Sequence, residues 1–164
     1  MTGIDVELRR LPSGLRPEVG QYWEAFAAAA RAAGLEPPAD ALLRQLVTVW
    51  AGSEFVARAC IREPALPAEL WTSGELARVQ ALGECRARLE RQLAEVVDET
   101  QLGVLLRRFR RREMIRIAWR DLAGLASLAE TLGDLTDLAE AAVDAALERL
   151  HAWQSRRFGQ PRDA

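Results

Sequence analysis

Six arginines, Arg107, Arg108, Arg110, Arg111, Arg112 and Arg116, stand within ten consecutive residues. Guanidinium groups at that density can hold phosphate or the carboxylates of a partner, because the planar fork meets either anion with parallel hydrogen bonds. On a helix they cover nearly the whole circumference, sparing the side of Leu105, Leu106 and Phe109. Three readings stay open: a solvated face paired with the chain's own acids, docking onto a folded body outside this chain, and direct contact with phosphate. Directly after the cluster, Met114, Ile115, Ile117, Ala118, Trp119 and Leu122 leave almost no polar face. A helix that is apolar nearly all round calls for burial on several sides. The expectation is therefore that this helix lies between two layers, one of them outside the chain.

Other chemistries find less support. Glu148 and His151 have the Glu-x-x-His spacing of carboxylate-bridged metal bundles, but that design uses the pair twice and the chain has one histidine. No nucleophile is suggested for His151, so a Ser-His-Asp triad is not expected either. Asp134, Asp137, Glu140, Asp144 and Glu148 recur three and four apart, the pattern of an exposed face supported by intrahelical pairs. Asp134 and Asp137 stand too far apart for the Asp-x-Asp pair that holds magnesium in nucleotidyltransferases. Every Lys/Arg position is arginine, which biased codon usage accounts for. The consequence is that neither a Schiff-base lysine nor a phosphate loop ending in Lys is present. Cys60 and Cys85 match no metal or redox spacing and read as buried thiols, as in a reducing cytoplasm. No residue of this chain is expected to be catalytic, cofactor-binding or metal-binding.

These side chains need helices to position them. Ala and Leu dominate, apolar residues recur at three and four, and no Asn-Gly or Asp-Gly hairpin turn occurs. The fold class is all-α, a bundle of about six to seven helices ending in a long one. A first helix is predicted over 17–33, with Gly34 as its stop. A second starts near Pro38 and presents Leu42, Leu43, Leu46, Val47 and Trp50. Ser53 caps a third carrying Phe55, Val56, Ala59 and Cys60, which Pro64 ends. Pro67 to Trp71 reads as a turn or a single helical turn. Thr72 with Glu75 forms a capping box opening a helix through Leu76, Val79, Leu82, Leu89 and Leu93, weakened at Gly83, where a kink can form. Asp98 with Gln101 opens a helix from Glu99 to about Ala126. Ser127 with Glu130 opens the last, Leu128 to Phe158, stopped by Gly159 and Pro161. Its apolar face is Leu128, Leu132, Leu135, Ala139, Ala142, Ala146, Leu150 and Trp153, with the acidic row opposite. The five tryptophans fall mostly on apolar positions and read as core.

Bulk properties narrow the partners. A net charge of −2 and a pI near 5.6 supply no long-range attraction to nucleic acid or anionic lipid. No apolar run approaches the ~18 residues of a membrane span, and Met1 to Leu11 has no signal-peptide core. The expectation is a cytoplasmic protein without nucleic-acid or membrane partners.

The run Leu106-Arg-Arg-Phe-Arg-Arg-Arg-Glu-Met-Ile-Arg-Ile-Ala-Trp119-Arg-Asp-Leu-Ala123 resembles the signature helix of the bifunctional glutamine synthetase adenylyltransferase/adenylyl-removing enzyme family. Glu130-Thr-Leu-Gly-Asp-Leu-Thr-Asp-Leu-Ala-Glu140, Ala145-Ala-Leu-Glu-Arg-Leu150 and Arg157-Phe-Gly-Gln-Pro-Arg162 continue the likeness in order and spacing. Weaker echoes are Gln21-Tyr-Trp23 and Ser53-Glu-Phe-Val56 followed by Pro64 and Leu70. The resemblance implies an enzyme that moves AMP from ATP to a tyrosine of glutamine synthetase and removes it by phosphorolysis. It further implies use of magnesium and control by the PII signalling protein and glutamine. The Arg-Ile-Ala-Trp wording and Met1 suggest the adenylyl-removing half. In the family a Gly-x-Gly-Lys-x-Gly-Gly loop and Ser-Asp-x-Asp carboxylates would follow Arg162, so no catalytic residue carries over. The resemblance thus implies a helical subdomain over 1–97 and, over 98–164, a long helix pair that packs on a downstream nucleotidyltransferase domain. Arg107, Arg108, Arg110, Arg111, Arg112, Arg116 and Trp119 are the candidate docking or anion-contact residues. The fragment itself would bind neither magnesium nor ATP. The alternative reading is a free-standing interaction module whose arginine helix grips an acidic partner.

Overall fold

A computed structural model describes residues 3–159, and every regular element among them is an α-helix. In chain order these are α1 (Gly3–Leu8), α2 (Arg16–Ala32), α3 (Asp40–Gly52), α4 (Glu54–Arg62), α5 (Ala65–Thr72), α6 (Glu84–Leu93), α7 (Glu99–Leu122) and α8 (Leu128–Phe158). The all-α reading with a long terminal helix holds. The short helices α1 and α5 raise the number above six or seven. Pro161 and the end of the motif at Arg162 lie outside the described residues.

Three sequence caps act as expected. The Ser53 hydroxyl accepts from the Val56 amide at 3.3 Å and starts α4. Asp98 accepts from the Gln101 amide at 2.8 Å and starts α7, while Gln101 accepts from the Val97 amide at 3.2 Å. Ser127 accepts from the Glu130 amide at 3.2 Å and starts α8. Each satisfies amides that the first helical turn leaves without partners. The helix α7 stops at Leu122, four residues before the expected end, where Gly124 turns left-handed at φ 69°.

The Thr72 box does not form. Thr72 is the last residue of α5, and its hydroxyl donates back to the Ala68 carbonyl at 2.9 Å. Residues 73–83 then run as turns and irregular chain, with Gly74 and Gly83 both at positive φ, so α6 begins only at Glu84. Gly83 is the entry to that helix rather than a kink inside it. Val79 and Leu82, expected on its apolar face, are 63% and 92% exposed.

The chain divides into two compact units, Met1–Val79 with Arg112–Thr131, and Gln80–Arg111 with Leu132–Ala164. The first holds a core built from α1 to α5 around Leu46, Trp50, Val56, Leu66 and Leu70, joined by Ile115 and Trp119 of α7. Aromatic rings run through it: Phe26 meets Trp50 at 5.5 Å and Trp71 at 5.9 Å, and Trp71 meets Trp119 at 5.9 Å, each pair edge-on. The second unit buries Cys85, Leu89 and Leu93 of α6, Leu102 and Phe109 of α7, and Leu138, Ala141 and Ala145 of α8.

The burial of α8 reverses the face assigned from sequence. Leu138, Ala141 and Ala145 turn inward, whereas Leu128 is 72% exposed and Leu132 55%. Small residues at 141 and 145 allow close approach on that side. The flanking acids are drawn the same way because a cation awaits them: Arg86 of α6 reaches Asp144 at 3.1 Å and Glu148 at 3.0 Å. Those two carboxylates therefore pair between helices, and the row is not simply an exposed face with intrahelical partners.

Candidate functional site

The arginines of α7 separate into two groups along the helix. In the second unit, Arg107, Arg108 and Arg110 are exposed, and Arg111 is half-buried. In the first unit, Arg112, Arg116 and Arg120 are buried. The three buried arginines are four apart, so they form one stripe on the helix, one turn above another. Arg120 was left out of the cluster read from sequence, although its spacing from Arg112 and Arg116 was the available signal.

Glu113, 1% exposed, lies between two of the guanidiniums. It accepts from Arg112 at 2.7 Å through one oxygen and from Arg116 at 3.1 Å through the other. Arg112 also spans both oxygens of Glu75, at 2.7 and 3.4 Å, and has Glu69 at 3.7 Å. Burial opposes the Arg112 charge most strongly, yet the hydrogen bond to Glu75 and the fields of Glu113 and Glu75 prevail and raise its pKa. Arg120 donates to the Leu76 carbonyl at 2.7 Å, to the Leu125 carbonyl at 3.1 Å and to Glu130 at 2.7 Å. It thereby ties the turn after α5 and the α7–α8 turn to one side chain. Glu130 uses its backbone amide for the helix cap and its carboxylate for this cation.

Trp119 is fully enclosed and donates its indole N–H to Gln45 at 2.9 Å. Ile115 and Ile117 are buried as well. The over-apolar stretch of α7 is thus covered within this chain, and the layer expected outside is not needed to enclose it. The reason is that α3, α4 and α5 supply a core large enough to receive it.

Arg86, Glu90, Asp144 and Glu148 form an exposed ion cluster in the second unit, where the Glu90 hydrogen bond chiefly raises the Arg86 pKa. An open groove of about 700 Å³ lies in the same unit, with Val96, Val104 and Leu105 between Glu95 and Arg108. His151 is exposed, and its neighbour in the Glu-x-x-His pair, Glu148, is engaged by Arg86. Among the described residues, no three His, Cys, Asp or Glu side chains converge as metal ligands would. No helix among them is long and apolar enough to cross a membrane.

These features describe an all-α chain in which Arg112, Arg116 and Arg120 of α7 are buried and paired within the first unit. The chain belongs to the glutamate-ammonia ligase adenylyltransferase family, whose model matches residues 43–164. It is 47% identical over 154 residues to the bifunctional glutamine synthetase adenylyltransferase/adenylyl-removing enzyme of Thioalkalivibrio sulfidiphilus, covering 94% of this chain and 16% of that protein. The enzyme of the same name from Nitrosococcus oceani is 50% identical over 119 residues, 73% of this chain and 12% of that protein. The one from Pseudomonas aeruginosa is 41% identical over 160 residues, 94% of this chain and 16% of that protein. The chain therefore spans about one sixth of the length of relatives that it matches nearly end to end. No solved structure matches it. The resemblance carried by the α7 run is borne out, and the relatives are nucleotidyltransferases.

Proposed function

We propose that this chain is a helical, non-catalytic part of an enzyme that attaches AMP from ATP to a tyrosine of glutamine synthetase and removes it by phosphorolysis, within nitrogen regulation in the cytoplasm. The observation that carries the reading is the match of 94% of the chain to enzymes of that name, with identity of 47% in one case. Magnesium and ATP serve that chemistry in the enzyme as a whole. The residues described here do not fit either: no three acidic, His or Cys side chains converge, and the buried Arg112 and Arg116 face a carboxylate. The role left to the chain is to brace the adenylyl-removing half, with the helices from Glu99 onward set against a nucleotidyltransferase domain. Glutamine synthetase and PII are partners of the enzyme as a whole.

A chimera tests this. The Pseudomonas aeruginosa enzyme, with its matching segment replaced by this chain, is expected to retain both adenylylation and deadenylylation of glutamine synthetase. A folded chimera that has lost both would sink the reading. The 164-residue chain alone is expected to transfer no label from radiolabelled ATP, and transfer would overturn its non-catalytic part. The alternative, a free-standing module gripping an acidic partner, retains only the exposed Arg107, Arg108 and Arg110 as outward contacts.

A further inference from the structure

We propose that the outer face of α8 between Leu132 and Leu150 is a docking surface, and that its occupant is an apolar layer of the same polypeptide, supplied in the longer relatives from outside the matched stretch. The proposal rests on the functional reading above and deepens it by naming which helix docks. The helix around Trp119 is already enclosed; α8 is not.

Leu132, Thr136, Ala139, Val143, Leu147 and Leu150 all lie on the exposed side of α8. Leu132 is 55% exposed, Val143 63% and Leu147 65%. At about 100° per residue these six positions spread over a stripe of roughly 80°, broadened further by the half-buried Leu135 and Ala146, which is the width of a core-facing helix. In the same helix Asp144 and Glu148 are turned towards Arg86. The helix thus buries one apolar side, Leu138, Ala141 and Ala145, and carries a second aliphatic stripe in solvent, where a surface helix usually places charge.

The charge pattern selects the occupant. One charged residue, Glu140, borders the middle of the stripe. In a two-fold antiparallel pairing of two copies, full overlap of 132–150 centres near Ala141. That pairing sets Glu140 beside Glu140 of the other copy, with no cation from the stripe between them. A second copy therefore suits this face poorly. A surface that is apolar along about 27 Å, the length of those residues at 1.5 Å each, and places a cation opposite Glu140 suits it well. The relatives carry most of their length outside the matched stretch, so they have polypeptide to provide it.

The test uses the full-length Thioalkalivibrio sulfidiphilus enzyme with a photoreactive amino acid at the position aligned with Val143, and a control at the position aligned with the exposed Arg58. The expected result is a crosslink from the first position, absent from the second, to a segment of the same polypeptide outside the 154 matched residues. A crosslink between copies, a crosslink confined to the matched residues, or none at all overturns the proposal. On this chain itself, the doubly substituted Val143→Glu/Leu147→Glu protein is expected to bind a hydrophobic dye at least about threefold less than the parent, with both sedimenting as monomers. A dye-silent parent, or a parent dimer that the substitutions dissociate, likewise overturns it. The chimera's activity is read separately: an inactive chimera together with the intramolecular crosslink rejects the functional reading and keeps the docking surface.

Discussion

The second half of α7 and the outer side of α8 invert the usual placing of charge. Between Arg112 and Arg120, α7 holds three arginines and Glu113 at no more than 7% exposure. Along α8, Val143 and Leu147 exceed 60%. The buried charges persist because each guanidinium has carboxylates or carbonyls within hydrogen-bonding distance, which offsets the desolvation that would otherwise forbid them. Exposed aliphatics carry no comparable penalty in water, so nothing within the chain itself compels them to be covered. The two stretches therefore differ in kind: one is constrained by what lies beside it, the other is not. Substitutions ranked by expected effect probe that difference.

The largest loss is expected from Glu113→Gln. It keeps the shape but removes the carboxylate that Arg112 and Arg116 share, and breaking a buried pair on one side costs about 3–5 kcal/mol. Urea unfolding monitored by circular dichroism reads this directly. Replacing Glu113 with Leu and Arg116 with Met together should recover much of the loss, since apolar isosteres of buried pairs are often tolerated. If Glu113→Gln alone unfolds at the parent midpoint, the buried network does not constrain α7.

Arg120→Met comes next, at about 2–3 kcal/mol, because it leaves the buried Leu76 carbonyl and the Glu130 carboxylate without their cation. Faster amide exchange at the turn after Leu122 should accompany it. A change in stability without that local signature would mean Arg120 acts through packing rather than by tying the two turns together.

Cys60 sharpens the contrast within the same unit. Burial pushes its thiol from 9.0 up to about 12. Below pH 9 both the folded and unfolded forms are neutral at this site and nothing is lost. As the pH rises from about 9 towards 12, the unfolded chain releases the proton and the folded chain keeps it, so stability falls by up to about 1.4 kcal/mol per pH unit. The Cys60→Ala protein should show a correspondingly flatter decline above pH 9 in parallel urea titrations. Equal slopes would mean that the thiol ionises in the folded state.

How far the sequence discloses this arrangement varies by element. Ser127 and Glu130 locate the start of α8 because a cap is a local hydrogen bond, and Asp98 and Gln101 do the same for α7. Thr72 and Glu75 have the same spacing and mislead, because Gly74 takes a positive φ inside the would-be first turn. The arginine cluster is visible at once, but its division is not. Arg112 is buried against the carboxylates of Glu69 and Glu75, which lie far away in sequence, while Arg110 is exposed. The α8 periodicity reveals an apolar face without saying whether this chain covers it. Leu138, Ala141 and Ala145 proved to be the inward set, with Asp144 and Glu148 beside them paired to Arg86, a contact across more than fifty residues that the α8 sequence alone does not display.

The smallest effect is expected on the outer face of α8. Leu147→Gln removes an aliphatic side chain that is 65% exposed and keeps a strong helix former, so the isolated chain should change by no more than about 0.5 kcal/mol. Leu46→Ala in the first unit, where Leu46 is fully buried, is the matching control and should lose about 2–5 kcal/mol. The pair separates two accounts of Leu147. If it stabilises this chain, Leu147→Gln will approach the loss at Leu46 and the exposure of α8 will not describe the chain in solution. If Leu147 belongs instead to a contact made with further polypeptide, the substitution will be nearly silent here. The same change will then lower the melting temperature of the chimeric enzyme, where that contact is available, and it is this difference between the two settings that identifies the face as one built for covering.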